Sequence, residues 1–191
     1  NAIIVGRYQN TAEEINQRYV EEHGIRVARR LSGGGAVYHD TGNLNYTFIV
    51  DRARNPHLSF AVFAIPVVKT LEQLGVKAEY TGRNDLTIDG KEFAGCAQYV
   101  RRDRIMYHGC IMLNSDITRV AEALRVREAK FQSKSVKSVR SRVTTINAHA
   151  PRPISMEEFK QLLKEYIDRT EGLEPLSLTP AQLDEVRELR E

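Results

Sequence analysis

The chain is poor in the features that mark several common protein classes. Its 191 residues include no tryptophan and only two cysteines, too few for the disulfide framework of a small secreted domain. Its longest apolar stretch, residues 60–68, is too short to span a bilayer. A net charge of +3 is too small to indicate a nucleic-acid binder. We therefore expect a cytoplasmic protein that binds neither membranes nor nucleic acids.

Glycine is sparse along most of the chain but concentrated at one place. Arg29 and Arg30 lead into a run of glycines at residues 33–35. Consecutive glycines cost backbone entropy on folding, and their usual purpose is to let peptide N–H groups approach a ligand closely. Neighbouring arginines add positive charge for a carboxylate or phosphate. The segment predicts an anion-binding loop, with a glycine-rich hairpin turn between strands 25–30 and 36–39 as the plainer alternative.

Hydrophobic periodicity predicts an α+β fold. A capping pattern at residue 11 and a glycine at residue 24 predict one helix between them. The Asp89-Gly90 pair is the strongest hairpin signal in the chain. Further strands are predicted at residues 2–5, 44–50, 77–80, 85–88, 91–100 and 105–113, and further helices at 59–74, 116–124, 156–171 and from 180 onwards. Hairpins with helices inserted between them indicate a mixed, largely antiparallel sheet with flanking helices.

Residues 29–45 resemble the signature of the lipoate–protein ligases, whose catalytic fold is similar to that of the biotin protein ligases. The resemblance continues, in the family's order, through residues 82–86, 90–95, 108–109 and 138–143. It implies an ATP-dependent ligase that activates lipoate (or octanoate) as acyl-AMP and transfers it to a specific lysine of a lipoyl domain. It also implies a catalytic domain at residues 1–172, lacking the family's usual first helix and strand. Residues 173–191 would then be a linker and charged helix leading toward an accessory domain.

The resemblance implies a set of site residues. Lys91, just after the Asp89-Gly90 turn, would be the catalytic cation that contacts both the acyl carboxylate and the α-phosphate of ATP. ATP and lipoyl-AMP would be bound by Lys91 together with Arg30, Ser32, Gly33, Gly34, Gly35, Ala36, Val37, Tyr38, Asn84 and Asp85. Lipoate would lie against Lys91, Gly35 and Val37. Asp85 is a candidate ligand for the Mg²⁺ that accompanies ATP, with an Asx turn as the alternative.

The family's partners are acidic carrier domains. The implied acceptors are the lipoyl domains of 2-oxoacid dehydrogenase acyltransferase subunits and the glycine cleavage H protein, and the ligase itself is expected to be a monomer. Between residues 125 and 142 lie seven basic residues and a single acid, Glu128. This basic segment is predicted to dock the carrier or to cover the adenylate, the alternative being a solvated surface loop.

Several residues admit a second interpretation. Related octanoyltransferases pass the acyl group through a cysteine thioester, which makes Cys96 a candidate nucleophile. Cys96 lies five residues after Lys91, so in a regular strand the two side chains face opposite ways, and a small buried hydrophobe is the favoured interpretation. His39 and Asp40 could form an acid–base dyad, but a structural role is favoured. For His108, a structural role and a ligand contact both remain open, and the structural role is favoured at least equally. A catalytically silent homologue that only binds the acyl chain or its carrier is a further alternative.

Overall fold

The computed structural model describes residues 1–54, 59–81, 84–124 and 142–190. The strands are β1 (Ala2–Val5), β2 (Arg26–Arg29), β3 (Val37–His39), β4 (Asn43–Asp51), β5 (Glu79–Tyr80), β6 (Asp85–Ile88), β7 (Lys91–Arg101) and β8 (Arg104–Met112). The helices are α1 (Thr11–Glu14), α2 (Gln17–Glu22), α3 (Ala61–Gln73), α4 (Ile117–Ala123), α5 (Met156–Glu171) and α6 (Pro180–Arg190). The predicted α+β class is confirmed, with the strands divided between two sheets.

The smaller sheet has three strands in the order β2-β1-β3. Strand β1 runs parallel to β2 and antiparallel to β3, so it separates the two strands that flank the glycines. The alternative of a glycine-rich hairpin turn is therefore wrong, because the glycine segment crosses over β1 instead of reversing beside it. Ile3 and Val5 of β1 are buried with Val20 of α2 and Val120 of α4 in a small hydrophobic core.

The larger sheet has five antiparallel strands in the order β4-β8-β7-β6-β5. Strands β6 and β7 are joined by the predicted hairpin turn, in which Asp89 and Gly90 both have positive φ (51° and 73°), the signature of a type I′ turn. One face of this sheet packs against α3 and α5. Phe93 of β7, Leu71 of α3 and Phe159 of α5 are each 0% exposed in this main core.

The helix predicted between residues 11 and 24 is two short helices. Ile15 is extended (φ −118°, ψ 151°) between α1 and α2 and forms an isolated bridge with Leu124. Asn16 then caps α2, and its backbone N–H donates to the Ala123 carbonyl at 2.9 Å. The prediction of one helix is wrong because this pairing, made more than a hundred residues along the chain, outweighs the local pattern.

The C-terminal part of the described chain contains two helices. Gly172, with φ 75°, ends α5, and Leu183, Val186 and Leu189 of α6 are all exposed. The boundary at residue 172 between a catalytic domain and a linker stays a prediction. Within the described ranges, no helix is both long and apolar enough to cross a membrane. Most of the basic segment, residues 125–141, and residues 82–83 lie outside the described residues.

Candidate functional site

A cavity of ≈ 660 Å³ is lined by the glycine segment, by β3 and by residues along strands β4, β6, β7 and β8. Most of the predicted site residues line it: Arg30, Ser32, Gly34, Gly35, Ala36, Val37, Tyr38, Asn84 and Asp85. Two that were predicted, Gly33 and Lys91, are not among its lining residues. The fold therefore brings two distant parts of the sequence, residues 30–38 and 84–85, to one place.

Arg30 binds its own loop. Its Nη2 donates to the carbonyls of Gly33 (2.8 Å) and Gly35 (2.7 Å), and its Nη1 donates to the carbonyl of Ile4 (3.0 Å). Its Nε donates to the hydroxyl of Ser32 at 3.1 Å. A guanidinium group has its donors in a fixed plane, so these bonds hold the glycine segment in one conformation. The positive charge nevertheless stays at the cavity wall.

Arg29 points to the other face of β2, as alternation along a strand requires. Its guanidinium donates to the carbonyls of Gly6 and Gln9, each at 2.8 Å, and to the hydroxyl of Thr11 at 2.9 Å. Consecutive arginines thus fix two different loops, and only Arg30 lines the cavity.

The glycines at 34 and 35 differ in what a side chain would meet. Gly34 has φ 97°, and a Cβ there would lie 2.8 Å from Nη2 of Arg30, so a side chain is excluded by both strain and contact. A Cβ on Gly35 would have no atom within 4 Å. The space in front of Gly35 is therefore open cavity, where backbone can be approached by a ligand.

His108 of β8 is tied to the same loop. Its Nε2 lies 2.6 Å from the hydroxyl of Ser32, which is 1% exposed. Burial and the charge of Arg30 lower the pKa of His108, so the imidazole is neutral. Since Arg30 donates to the Ser32 oxygen, the hydroxyl proton is available to Nε2. This network supports the structural interpretation of His108.

His39 and Asp40 are used for different purposes. The carboxylate of Asp40 accepts from the backbone N–H groups of Gly42 and Asp116, each at 2.9 Å, and so joins two loops. His39 lines the cavity, where burial and the charge of Arg30 lower its pKa. The engagement of Asp40 with backbone favours the structural interpretation over an acid–base dyad.

At the start of β7 the side chain in the cavity is Glu92. Lys91 is exposed, whereas Glu92 lines the cavity and its Oε1 would lie 3.1 Å from a Cβ placed on Gly95. The reason is alternation: Phe93 faces the main core, so Glu92 must face the opposite way and Lys91 shares the side of Phe93. The sequence signal that identifies Glu92 is thus the phenylalanine beside it, which our interpretation of the motif did not use.

Burial in the cavity raises the pKa of Glu92 to about 7, with a further contribution from the charge of Asp85 and an opposing one from Arg142. Glu92 is also anchored through its backbone. Its carbonyl accepts from the N–H of Thr144 at 2.8 Å, and it forms a parallel bridge with Val143. Arg142 and Val143 line the cavity as well, so the chain returns to this wall after residue 141.

Cys96 lines the cavity, although the prediction placed it away from the site. Its Sγ lies 2.8 Å from the hydroxyl of Tyr46. Burial raises the pKa of Cys96, and burial together with nearby Glu92 raises that of Cys110 to about 11. Both cysteines are therefore thiols at neutral pH, not the thiolate that a cysteine nucleophile requires.

The rest of the cavity wall is largely apolar. Its lining includes Tyr46 of β4, Met106 and Met112 of β8, Val37 of β3 and Val120 of α4. Methionine fills irregular gaps and adapts to the shape of a ligand. The sequence analysis identified Val37 but not the methionines, which carry no local motif. Such a wall suits an acyl chain.

Comparisons with known proteins agree with this architecture. Residues 1–168 match the family described as the Lipoyl protein ligase A/B catalytic domain. The chain belongs to this family. A lipoate–protein ligase of Staphylococcus aureus is 45% identical over 98% of the chain and 57% of its own length, and one of Bacillus subtilis is 48% identical over 88% and 51%.

Solved ligase structures share the fold. A bi-partite lipoate protein ligase from Thermoplasma acidophilum, studied with its E2 lipoyl domain, has a TM-score of 0.81 and 28% identity, covering 98% of this chain and 75% of its own. A lipoate-protein ligase A bound with ATP has a TM-score of 0.80 and 25% identity, with coverage of 98% and 76%. The chain spans about half the length of the curated relatives that it matches.

Proposed function

We propose that this chain carries the site of a lipoate–protein ligase, which activates lipoate or octanoate as acyl-AMP and transfers it to a lysine of a lipoyl domain. The observation that carries the proposal is that the glycine segment, Asn84, Asp85 and several apolar side chains line one and the same cavity. Relatives named lipoate–protein ligases and a neighbour bound with ATP support it.

The first half-reaction joins a carboxylate to the α-phosphate of ATP and releases pyrophosphate. Both reactants are anions, so fixed positive charge beside them lowers the barrier. Arg30 and Arg142 are cavity-lining cations in the described part of the chain. The open space at Gly35 lets phosphate oxygens approach the backbone, and the apolar wall at Val37 receives the acyl chain. Lys91, which is exposed and is not among the residues that line the cavity, stays a predicted contact that is tested below.

Mg²⁺ is expected to accompany ATP and to neutralise phosphate charge. Within the described residues, no three or more His, Cys, Asp or Glu side chains gather into a group that could hold a metal ion. Mg²⁺ needs few protein ligands, because it keeps several waters and binds substrate phosphates directly. We therefore propose that it enters with ATP; Asp85 as one of its ligands stays a prediction.

The second half-reaction requires a carrier protein. A lipoyl domain is the proposed acceptor, supported by the neighbour studied with its E2 lipoyl domain. The lipoyl domains of 2-oxoacid dehydrogenases and the glycine cleavage H protein are the proposed acceptors in particular. A monomer in the cytoplasm completes the proposal, and the two free thiols suit a reducing compartment.

A second candidate function is acyl transfer through a thioester on Cys96. It is favoured by the position of Cys96 on the cavity wall, and it is opposed by burial, which raises the pKa of this thiol. This reaction needs no ATP. Nucleotide dependence therefore separates the two candidate functions.

Exchange of labelled pyrophosphate into ATP, in the presence of lipoate and Mg²⁺, tests the proposal. A ligase catalyses this exchange because adenylate formation is reversible. Lipoate omission provides the control for background exchange. Folded protein that shows no exchange would refute the ligase function. If such protein transfers the acyl group without ATP and loses this activity in Cys96→Ser, the thioester route is established. The absence of both activities would indicate a silent homologue.

A further inference from the structure

The cavity contains a carboxyl group, that of Glu92, to which the first half-reaction assigns no role. Burial and the charge of Asp85 raise the pKa of Glu92, whereas Asp85 itself is already the predicted ligand of the Mg²⁺ that enters with ATP. Lipoate and ATP are anions, and the acceptor lysine is the cation among the reactants. Carboxylates in a water-poor site attract a cation and repel anions. The reactant that suits this part of the cavity is therefore the lysine.

We propose that Glu92 is a catalytic residue of the second half-reaction, pairing with the ammonium group of the acceptor lysine and accepting a proton from it. The inference rests on the function proposed above. It assigns to Glu92 a step that occurs after pyrophosphate has left, when the remaining acyl-AMP carries less negative charge than ATP and lipoate together.

The step balances as follows in atoms and charge. One N–H bond of the lysine ammonium breaks, and its proton goes to a carboxylate oxygen of Glu92. The freed nitrogen lone pair forms the N–C bond with the acyl carbonyl carbon, the C–O bond to the phosphate breaks, and AMP leaves with that electron pair. The nitrogen then loses a second proton, to the departing phosphate or to water, which leaves a neutral amide. No oxidant or reductant is needed.

The position of Glu92 is fixed on several sides. Its backbone is held by the bond from Thr144 and by the bridge to Val143, and its side chain lies over Gly95. A general base is effective only when its oxygen is held within hydrogen-bond reach of the proton, so an anchored strand residue suits the role.

The surroundings of Glu92 match this role electrostatically. Asp85 faces it from β6, Cys96 and Cys110 face it from β7 and β8, and Arg142 faces it from the segment that follows residue 141. Burial, with a smaller contribution from Asp85, raises the pKa of Glu92 to about 7, near the pH at which a base works best, because the group is ionised yet still accepts a proton readily.

The cavity histidines suit the role less well. Burial and the positive charge of Arg30 lower the pKa of both His39 and His108, which opposes the gain of a proton. His108 is also engaged with Ser32 through Nε2. Approach of an ammonium group to this arginine side would bring two cations together. Glu92 is therefore the better placed acceptor.

Single-turnover transfer tests the inference. Chemically prepared lipoyl-AMP is mixed with the protein and a lipoyl domain, and amide formation is followed with time. For Glu92→Gln, which keeps the shape and removes the base, we expect a loss of about a hundredfold in the transfer rate. The wild-type rate should rise through about pH 7, and this limb should be absent from the variant. Glu157→Gln, an exposed change on α5, is the matched control and should keep the wild-type rate.

A second nucleophile separates base catalysis from a structural effect. Hydroxylamine is uncharged at neutral pH and attacks the adenylate without needing a base. Glu92→Gln should slow this reaction by less than threefold, and Glu92→Asp should restore part of the transfer to lysine. Equal transfer rates in the wild type and Glu92→Gln, or equal losses with lysine and hydroxylamine, would overturn the inference. Because preformed adenylate is supplied, these outcomes are distinct from an absence of pyrophosphate exchange, which refutes the ligase function itself.

Discussion

The loop wall of the cavity, residues 30–38, contains an arginine whose side chain donates to the carbonyls of its own glycine segment. The strand wall contains the carboxyl group of Glu92 and the thiol of Cys96, both on β7 and both held away from water. The hydrogen bonds that hold the loop wall are donated by the guanidinium group of Arg30, which is always charged. The strand wall contains groups whose charge depends on pH. The first is suited to hold anions in one geometry, and the second to exchange a proton during the reaction.

Removal of Arg30 tests the loop wall and should have the largest effect. Arg30→Ala leaves acceptors on Ile4, Ser32, Gly33 and Gly35 without this donor, so we expect the free energy of unfolding to fall by about 4 kcal/mol, about 1 kcal/mol for each acceptor. Urea denaturation measures the change. Arg26→Ala, an exposed change on β2, the strand that leads to Arg30, is the control and should cost less than about 0.5 kcal/mol. Similar losses in both variants would refute the role of Arg30 as the organiser of the loop.

The pH dependence of stability tests the strand wall. Burial raises the pKa of Glu92 from 4.5 to about 7, so between these values the folded protein binds more protons than the unfolded one. Stability must therefore fall as pH rises through this window, by about 3 kcal/mol in total from this residue. Glu92→Gln removes that contribution. Subtracting the two proteins' unfolding free energies from pH 4 to pH 8 measures it, and parallel curves would show that Glu92 titrates normally.

The two neighbouring glycines provide a matched pair on the loop wall. Gly34→Ala should cost about 1 to 3 kcal/mol of stability, because its φ of 97° is strained for alanine and the Cβ meets Arg30. Gly35→Ala should leave stability unchanged, since its Cβ points into open space, yet it should weaken nucleotide binding about tenfold by filling that space. Thermal unfolding and ATP titration calorimetry separate the two effects. Unchanged ATP affinity in Gly35→Ala would move the nucleotide away from this loop.

Lys91 lies outside the lining of the cavity, whereas Cys96 lies on its wall, and substitution of each tests which of the two the reaction needs. A lysine in direct contact with the developing charge would lose about a hundredfold in pyrophosphate exchange on conversion to alanine. Because Lys91 is exposed, we expect Lys91→Ala to lose less than tenfold, and Cys96→Ser to keep most of the exchange activity. A hundredfold loss would instead establish Lys91 as the catalytic cation that the family resemblance implies. ATP-independent transfer that is abolished in Cys96→Ser would assign the chemistry to the thiol.

Much of the fold was predictable from local signals. Strands β1 and β6 begin and end as predicted, and the Asp89-Gly90 turn and the glycine that ends α5 lie where predicted. The single helix predicted over residues 11–24 was wrong because the pairing of Ile15 with Leu124 joins segments far apart in the sequence. The order of the small sheet was missed for the same reason, since no local pattern shows that β1 lies between β2 and β3.

The site was predictable where the sequence places a charged side chain next to glycines. Glycines beside an arginine indicated the loop wall, but not that most of the hydrogen bonds of Arg30 would be made to its own loop. On β7 the motif indicated Lys91 as the site residue. Because Phe93 faces the core, the alternation of side chains along the strand places the neighbouring Glu92 in the cavity instead. A motif identifies a segment; which of its side chains enters the site depends on the face that the core occupies.

Gly109, beside His108 on β8, has a consequence for how variation among relatives is interpreted. A Cβ there would lie 2.6 Å from the Gly95 carbonyl oxygen and 2.7 Å from the hydroxyl of Tyr46, so any larger residue would push β7 and β8 apart. Selection on folding alone should keep this glycine, even in a descendant that has lost catalysis. A relative in which Glu92 is substituted and Gly109 is kept would therefore be expected to fold without being catalytically active.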